Sequence, residues 1–343
     1  MKTITAHAAK DLRIEDHPEP TPGAGEVLIR VEAGGICGSD LHYYNHGGFG
    51  TVRLREPMIL GHEVAGRVVA TGDGVDGLAK NQLVAISPSR PCGVCRFCQE
   101  GSQNHCLSMR FYGSAMPFPH IQGAFREVLV ASAAQCVPAD DLTVREAAMA
   151  EPLAVVLHAA KQAGDMVGKR VLITGCGPIG LLAVLVARLG GAVEVVATDV
   201  ADFTLEKAEE IGADRTINIS QNPQGLSRYE ADKGHFDIHF ECSGVAAALA
   251  GAIPALRPGG VIVQLGLGGD MTLPVQAMTA KEIALKGSFR FHAEYRQAVE
   301  LMQSKRIDVT PLVTQEFPMA DAARAFDLAS DRQHAVKVHI AFV

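Results

Sequence analysis

The sequence has no uninterrupted apolar run that approaches the roughly 20 residues a membrane helix needs. The opening stretch MKTITAHAAKDLRIED carries polar side chains throughout and lacks the apolar core of a secretory signal. Positive charge is also scarce, because 31 lysines and arginines stand against 38 aspartates and glutamates, a formal net charge of −7. A nucleic-acid-binding surface is usually basic. We therefore expect a cytoplasmic protein that binds neither membranes nor nucleic acids.

The composition is typical of a globular enzyme. A chain of 343 residues exceeds what one hydrophobic core usually serves, so two domains are expected. Apolar residues make up 48% and charged residues 20% of the chain. Of the eight cysteines, four are closely spaced in a pattern that suits a metal, and no export signal accompanies them. We therefore expect these cysteines to be reduced thiols and not disulfides.

The clustered cysteines occur in CGVCRFCQEGSQNHC with the spacing C-x2-C-x2-C-x7-C. Four thiolates so close together repel one another unless a dication neutralises them, and four cysteines form a closed tetrahedral shell. The spacing predicts a structural zinc site, with an iron-sulfur cluster and a pair of disulfides as the alternatives. A zinc finger for nucleic acid is disfavoured, because Arg90 and Arg96 alone supply nearby positive charge. The predicted ligands are Cys92, Cys95, Cys98 and Cys106.

A second set of metal-ligand types lies in GGICGSDLHYYNHGGFGTVRLREPMILGHE. It contains Cys37, His62 and Glu63, and Glu151 in AEPLAV is a distant fourth candidate. Catalytic zinc takes sulfur, nitrogen and carboxylate ligands and leaves one position open. On spacing alone, a buried cysteine beside a hydrogen-bonded histidine explains the pattern equally well.

The pattern of apolar and polar residues changes near the middle of the chain. Up to about Leu142, short alternating segments separated by Gly and Pro predict a β-rich unit. From about Glu151, apolar strands alternate with helices, and VLITGCGPIG runs from a strand into a glycine-rich turn. The later strands FDIHFECSG and GGVIVQLGLGG continue a doubly wound parallel sheet. The fold prediction is α/β, with a β-rich unit followed by a parallel-sheet unit.

The glycine-rich turn has the spacing of a dinucleotide-binding motif. Gly175, Gly177 and Gly180 lie between strand and helix, and Asp199 ends the next strand. Such glycines let the backbone approach a pyrophosphate at a helix N-terminus, and the acid accepts hydrogen bonds from ribose hydroxyls. NAD is the expected cofactor. NADP is disfavoured because Asp199 repels a 2′-phosphate and the following VADFTL supplies no cation before Lys207.

The segments GGICGSDLHYY and GHEVAG resemble the catalytic-zinc region of the zinc-dependent medium-chain alcohol and polyol dehydrogenases. The resemblance covers essentially the whole chain. It implies a GroES-like catalytic domain at 1–150, completed by 288–343, and a Rossmann NAD-binding domain at 151–287. It also implies hydride transfer between an alcohol carbon and NAD, with zinc as Lewis acid. The family tends toward dimers and tetramers, so a homo-oligomer is expected.

The resemblance implies roles for further residues. Cys37, His62 and one of Glu63 or Glu151 would hold catalytic zinc, and Asp40 would orient the imidazole of His62. Additional substrate and cofactor residues follow by position in the family pattern. Those nearest the reaction are Ser39 and His42 as a proton relay, Tyr43 as a substrate contact, Glu151, which would share the proton transfer with water, and Arg290, which would face substrate or cofactor. Those expected at the cofactor are Gly175, Gly177, Pro178, Ile179, Gly180, Asp199, Leu265, Gly266, Leu267, Ser288 and Phe289.

The polyol branch of the family resembles this chain most, since Glu151 stands where other alcohol dehydrogenases have a second cysteine. MRFYGSAM and KGSFRF further resemble members that act on L-idonate, a sugar acid whose carboxylate needs a cation such as Arg110 or Arg290. The expected reaction is L-idonate to 5-ketogluconate. A general sorbitol or xylitol dehydrogenase is the alternative. Two non-catalytic alternatives are a zinc-stabilised NAD-binding structural protein and a redox sensor that uses the four-cysteine segment.

Overall fold

The computed structural model describes residues 1–342. Strands predominate in the first part of the chain, and no helix in this range is both long and apolar enough to cross a bilayer. The strands are β1 Lys2–Ala8, β2 Asp11–Asp16, β3 Glu26–Gly35, β4 Gly48–Phe49, β5 Val52–Arg53, β6 Met58–Ile59, β7 Glu63–Thr71, β8 Leu83–Ile86, β9 Ser89–Arg90, β10 Arg110–Phe111, β11 Val128–Ser132, β12 Cys136–Pro138, β13 Arg170–Thr174, β14 Glu194–Asp199, β15 Arg215–Asn218, β16 Phe236–Glu241, β17 Leu256–Gln264, β18 Ala284–Gly287, β19 Val313–Pro318 and β20 Lys337–Ala341.

The helices are α1 Gly38–His46, α2 Arg96–Gln99, α3 Val144–Ala148, α4 Ala150–Ala163, α5 Pro178–Leu189, α6 Asp202–Glu210, α7 Ala246–Ala252, α8 Val275–Ala280, α9 Glu294–Gln303 and α10 Ala322–Ala329. Short 3-10 helices lie at Gln103–His105, Ala133–Gln135, Ser227–Tyr229, Ala231–Lys233, Ile253–Ala255, Thr310–Leu312 and Met319–Asp321.

The N-terminal part is β-rich, as its alternating pattern predicts. Its main sheet has the order β12-β8-β7-β3-β20-β19, and β11 also pairs with β3. Strand β20 comes from the far end of the chain and runs antiparallel to β3, with His339 opposite Gly35. The last strands therefore complete the sheet that the first strands begin. Apolar side chains such as Val31, Phe125 and Ile340 form its core.

The second sheet is parallel, with the order β15-β14-β13-β16-β17-β18. This is the doubly wound arrangement that the alternating strands and helices predict, with the first strand of the unit in the middle. Both faces of strand β13 are buried, because Val171 and Ile173 belong to one apolar cluster and Leu172 belongs to another. Helices on both faces explain why these strands are apolar without alternation.

Helix α9 packs where the sequence gave no direct signal. Its side chains Tyr295 and Val299 share an apolar cluster with α4 and α5. The buried carboxylate of Glu294 accepts from Lys161 of α4 at 2.7 Å. The helix thus packs on α4, in a cluster that also contains residues of β3, β7 and β8 of the first sheet. The limits 1–150, 151–287 and 288–343 stay predictions.

Candidate active site

Helix α1 begins at Gly38, and Cys37 directly before it has extended backbone angles of φ −95° and ψ 158°. The carboxylate of Asp40 caps this end by accepting from the Cys37 N–H at 3.1 Å. Gly47 then ends the helix with φ 67°, the left-handed conformation common at this position. Ser39 and His42 are three residues apart and therefore share one face of the helix. The two predicted relay residues thus lie beside the predicted ligand Cys37.

Asp40 also fixes the second ligand-bearing segment. Its other oxygen accepts from the Gly61 N–H at 3.0 Å, and the side chain is fully buried. Gly61 has φ +88°, and a Cβ there would lie 2.1 Å from Phe125, so only glycine fits. The next residue is His62, whose Nδ1 is 3.7 Å from Asp40 Oδ1. This distance is too long for a hydrogen bond. Asp40 therefore acts mainly on the two backbones, whereas the family resemblance implied that it orients the imidazole of His62.

Three of the predicted ligands meet at this point. Ligand atoms of Cys37, His62 and Glu63 lie within 4.8 Å of one another. Burial, with the Glu63 carboxylate adding to it, raises the pKa of the Cys37 thiol to about 12. Burial also raises the pKa of Glu151 well above its ordinary value. A dication reverses this, because a coordinating thiol is deprotonated outright. The donor set of sulfur, nitrogen and carboxylate oxygen fits zinc.

Lys337 is a neighbour that no sequence motif indicated. Its ammonium lies 2.7 and 2.9 Å from the two carboxylate oxygens of Glu63 and 3.1 Å from the Ile36 carbonyl. The side chains of Lys337 and Glu63 are both almost fully buried, at 2% and 1% exposure. This ion pair neutralises one of the acidic groups of the cluster. Lysine and zinc therefore compete for the oxygens of Glu63.

Arg290 and Tyr43 border the same cleft. The Arg290 guanidinium stacks on Phe111 with its Cζ 4.3 Å from the ring centre. Burial lowers the pKa of Arg290, whereas the charges of Glu151 and Tyr43 act in the opposite sense. In residues 1–342 its guanidinium forms no ion pair with a carboxylate. Tyr43 is only 2% exposed, and its hydroxyl accepts from the Ala115 N–H at 3.1 Å. Its contact with a substrate stays a prediction.

Arg110 points away from this cleft, contrary to the expectation that it contacts a substrate carboxylate. It is exposed and lies on β10, opposite Arg90 of β9. The next residue, Phe111, faces His62 with ring centroids 5.6 Å apart. Neighbouring side chains on a strand point to opposite sides, so Arg110 faces solvent.

The four clustered cysteines converge as their spacing predicts. Neighbouring sulfurs are 3.6 to 4.0 Å apart, well beyond a disulfide bond. A tetrahedron with Zn–S bonds of about 2.3 Å has sulfur separations of about 3.8 Å. Donation by the backbone N–H groups of Leu107 and Cys98 lowers the pKa of Cys95 to about 6, which favours a thiolate ligand. Cys92, Cys95, Cys98 and Cys106 therefore fit a closed structural zinc site.

The dinucleotide turn joins β13 to α5, and its three glycines face different surroundings. Gly175 has φ +85°, and a Cβ there would lie 2.7 Å from the Ser243 nitrogen. A Cβ on Gly180 would lie 1.8 Å from the Gly175 oxygen. A Cβ on Gly177 would meet nothing within 4 Å. The first and third glycines thus allow the turn and the helix packing, and the second leaves space for a pyrophosphate. Gly177, Pro178 and Ile179 are half-buried at the helix start.

A cavity of about 520 Å³ extends from this turn and is lined by Gly175, Asp199 and Ser243. Asp199 accepts from the Cys176 N–H at 2.5 Å and the Val200 N–H at 2.6 Å. These bonds hold its carboxylate at the end of β14, where a ribose would bind. Arg332, far along the sequence, also lines the cavity. No motif indicated this arginine, and in the described part of the chain it is the one cation lining that space.

The ends of β17 and β18 supply the remaining cofactor candidates. Ser288 donates its N–H to the Gln264 carbonyl at 3.0 Å. Within residues 1–342, two buried polar atoms at this edge have no partner, the Ser288 hydroxyl and the Gln264 side-chain oxygen. An amide such as that of nicotinamide offers both donors and acceptors. The predicted residues Leu265, Gly266, Leu267 and Phe289 flank these two positions.

Known proteins resemble this chain over its whole length. The family model of the alcohol dehydrogenase GroES-like domain matches residues 23–141, and that of the zinc-binding dehydrogenases matches residues 178–304. L-idonate 5-dehydrogenase (NAD(P)(+)) of Escherichia coli K12 is 43% identical over 92% of each chain. Sorbitol dehydrogenase of Gallus gallus is 40% identical over 98% of this chain and 94% of its own.

Solved structures agree. The crystal structure of the E. coli K-12 L-idonate 5-dehydrogenase has a TM-score of 0.94 at 40% identity, covering 99% of this chain and 98% of its own. An alcohol dehydrogenase from E. coli CFT073, complexed with NADH, has a TM-score of 0.90 at 30% identity, covering 100% and 99%. The predicted combination of GroES-like and Rossmann units is confirmed. The chain belongs to the zinc-dependent medium-chain alcohol dehydrogenase family and is an oxidoreductase that uses zinc and NAD(P) at a CH–OH carbon.

Proposed function

We propose that this enzyme oxidises L-idonate at C5 to 5-ketogluconate with NAD and also supports the reverse reduction. The observation that carries this proposal is a guanidinium without a carboxylate partner beside the predicted zinc ligands. The guanidinium of Arg290 stacks on Phe111, and the charge of Glu151 acts to raise its pKa. In the described part of the chain, this guanidinium forms no ion pair. A guanidinium of this kind binds a carboxylate bidentately. The 43% identity to an L-idonate 5-dehydrogenase supports the same substrate.

The residues of the cleft take separate roles in this proposal. Bound zinc supplies Lewis acidity toward the substrate hydroxyl, and bound NAD accepts the hydride. Cys37, His62 and Glu63 hold the metal, because their ligand atoms lie within 4.8 Å of one another. Glu151 is buried and lies outside that group, and it would act on the substrate hydroxyl or a water beside the metal. Arg290 fixes the carboxylate end of the substrate and so determines which carbon faces the metal.

The proton leaves along α1. Ser39 would accept the proton of the substrate hydroxyl as it gives its own hydroxyl proton to His42, and His42 would then release a proton to solvent. Burial lowers the pKa of His42, and the nearby charges of His46 and Arg332 lower it further, so the imidazole is neutral at pH 7 and accepts a proton. His42 is half-buried and therefore reaches solvent.

A general polyol dehydrogenase is the second candidate function. The 40% identity to a sorbitol dehydrogenase over 98% of this chain favours it. Glu151 makes the pocket polar and suits a substrate rich in hydroxyl groups in either case. The two functions differ in what Arg290 contacts, because sorbitol and xylitol have no carboxylate.

The first prediction separates these substrates by the charge at position 290. Arg290→Met is expected to lower kcat/KM for L-idonate by roughly 10- to 100-fold, the effect of losing a charge-assisted hydrogen bond of about 1.5 to 3 kcal/mol. Activity with sorbitol should fall much less. Arg110→Met is the matched control, since Arg110 faces solvent, and it should leave both activities unchanged. If the wild-type enzyme turns over sorbitol or xylitol far better than L-idonate, the sugar-acid proposal fails and the polyol function replaces it.

The second prediction concerns two zinc ions with separate roles. Cys37→Ser should abolish turnover and leave the unfolding temperature close to that of the wild type. Cys98→Ser should lower stability or yield, because a structural zinc site contributes directly to the free energy of folding. Metal analysis should give two zinc ions per wild-type chain and one in each variant. A fully active enzyme with a single zinc ion would contradict the assignment.

The third prediction is a preference for NAD over NADP. Asp199 repels a 2′-phosphate, and Lys207, the first cation after it, is already paired with Glu210 at 2.6 Å. Repulsion and the lost ribose hydrogen bond correspond to roughly 2 to 4 kcal/mol, or about 30- to 1,000-fold in kcat/KM. Asp199→Ala should reduce this ratio. Equal kcat/KM values for the two cofactors in the wild-type enzyme would overturn the preference; the E. coli relative is named for both.

The fourth prediction is a homo-oligomer, a dimer or tetramer. All four residues of β18, the edge strand of the parallel sheet, are exposed. An exposed edge strand presents unpaired backbone groups to a second chain. Light scattering should give a multiple of 36.3 kDa, and Leu285→Lys on this strand should lower it. A mass of one chain at working concentration would refute the prediction.

A cytoplasmic location belongs to the same proposal, supported by eight free cysteines.

A further inference from the structure

The four-cysteine lobe, residues 92–111, touches the segment that carries Arg290. Asn104 lies in the 3-10 helix Gln103–His105, directly before the ligand Cys106. Its side-chain amide donates to the Phe289 carbonyl at 3.0 Å, and the side chain is 7% exposed. This hydrogen bond joins positions 185 residues apart in the sequence. The lobe is therefore bonded to the backbone immediately before Arg290.

Aromatic contacts between the same two segments reinforce this bond. The ring of His105 stacks on Phe289 with centroids 6.1 Å apart and an angle of 23°. The guanidinium of Arg290 lies between two rings, with its Cζ 4.3 Å from the centre of Phe111 and 4.8 Å from that of Phe289. Phe111 belongs to the lobe as well. The lobe thus contributes an amide and two rings to the surroundings of residues 289 and 290.

Arg290 needs such support because its backbone is in the left-handed region, with φ 56°. A residue with a long side chain and no local hydrogen-bonding group rarely adopts this conformation, and it persists only where neighbouring structure holds it. The hydrogen bond from Asn104 acts on the peptide group that links Phe289 to Arg290. Fixing the Phe289 carbonyl fixes the orientation of that peptide plane, and with it the direction in which the Arg290 side chain leaves the backbone.

We propose that Asn104 is a positioning residue, through which the four-cysteine lobe holds Arg290 in the direction required to bind the carboxylate of a sugar-acid substrate. The inference rests on the proposed role of Arg290 in substrate binding. In this proposal the four-cysteine lobe contributes to substrate binding as well as to the stability of the fold. Loss of the lobe's metal would then weaken recognition of the acid group as well as the fold.

The test uses the zinc-loaded, full-length enzyme and two substrates, L-idonate and sorbitol. Asn104→Ala should raise KM for L-idonate about five- to tenfold, the scale of one lost neutral hydrogen bond, with kcat little changed. KM for sorbitol should stay the same. The matched control is Gln103→Ala, in the same 3-10 helix, which should change neither. Zinc content of two per chain and an unchanged unfolding temperature show that the lobe is intact in each variant.

The outcomes separate this inference from the proposed function. If Arg290→Met selectively weakens L-idonate binding and Asn104→Ala behaves like Gln103→Ala, the positioning role is refuted and the substrate proposal stands. If Arg290→Met has no selective effect, the substrate proposal itself fails. Adding Asn104→Ala to Arg290→Met should raise KM for L-idonate no further, and an additive loss would refute the link. Should Asn104→Ala be insoluble, His105→Ala removes the exposed stacking ring and must show the same selective loss.

Discussion

The geometry of the cleft depends on one buried carboxylate. Asp40 is fully buried, and its two oxygens accept from the backbone N–H groups of Cys37 and Gly61 at 3.1 and 3.0 Å. These bonds join the start of α1 to the turn before His62. A buried charge is tolerated only when hydrogen bonds replace its lost hydration, and here the two bonds that do so are the ones that bring sulfur and imidazole together. Lys337 adds a second link between the same segments, since its ammonium contacts both the Ile36 carbonyl and the Glu63 carboxylate.

A second buried carboxylate organises the cofactor side in the same manner. Glu241 is fully buried at the end of β16 and accepts from the Ser243 hydroxyl, the Ser243 and Gly244 N–H groups and the Gln264 amide. It therefore connects the carboxyl ends of neighbouring parallel strands. Ligands bind at this edge of doubly wound sheets, because loops of adjacent strands diverge there. Two buried acidic groups, Asp40 and Glu241, thus organise the two halves of the cleft.

The sequence predicted best what local spacing determines. The four cysteines and the glycine turn are set by residues close together in the chain, so their geometry follows from short patterns. The identities of Cys37, His62 and Glu63 could also be predicted, because their flanking segments are distinctive. By contrast, Lys337 meets Glu63 across 274 positions, and no periodicity or spacing encodes such a pairing.

The other features that the sequence did not predict also depend on contacts between distant parts of the chain. Arg110 and Arg290 were equivalent candidates by charge and by the resemblance of their segments. Alternation along β10 directs Arg110 away from Phe111 and toward solvent, whereas Arg290 stacks on the Phe111 ring from another segment. The packing of α9 on α4 is likewise a tertiary contact between distant apolar faces. Ligand and cofactor motifs consist of residues close together in the sequence and can be predicted from it. The direction of a side chain depends on the element that packs beside it, which the local sequence does not reveal.

The left-handed backbone at Arg290 limits how the substrate range of this enzyme can diverge. At φ 56° a β-branched side chain clashes with its own backbone, so valine, isoleucine and threonine are disfavoured at this position whatever substrate they might suit. Glycine, asparagine and unbranched side chains remain accessible. Mutational change at position 290 is thereby restricted to small polar or long flexible residues, and a β-branched apolar side chain there would first require a different path of the backbone after β18.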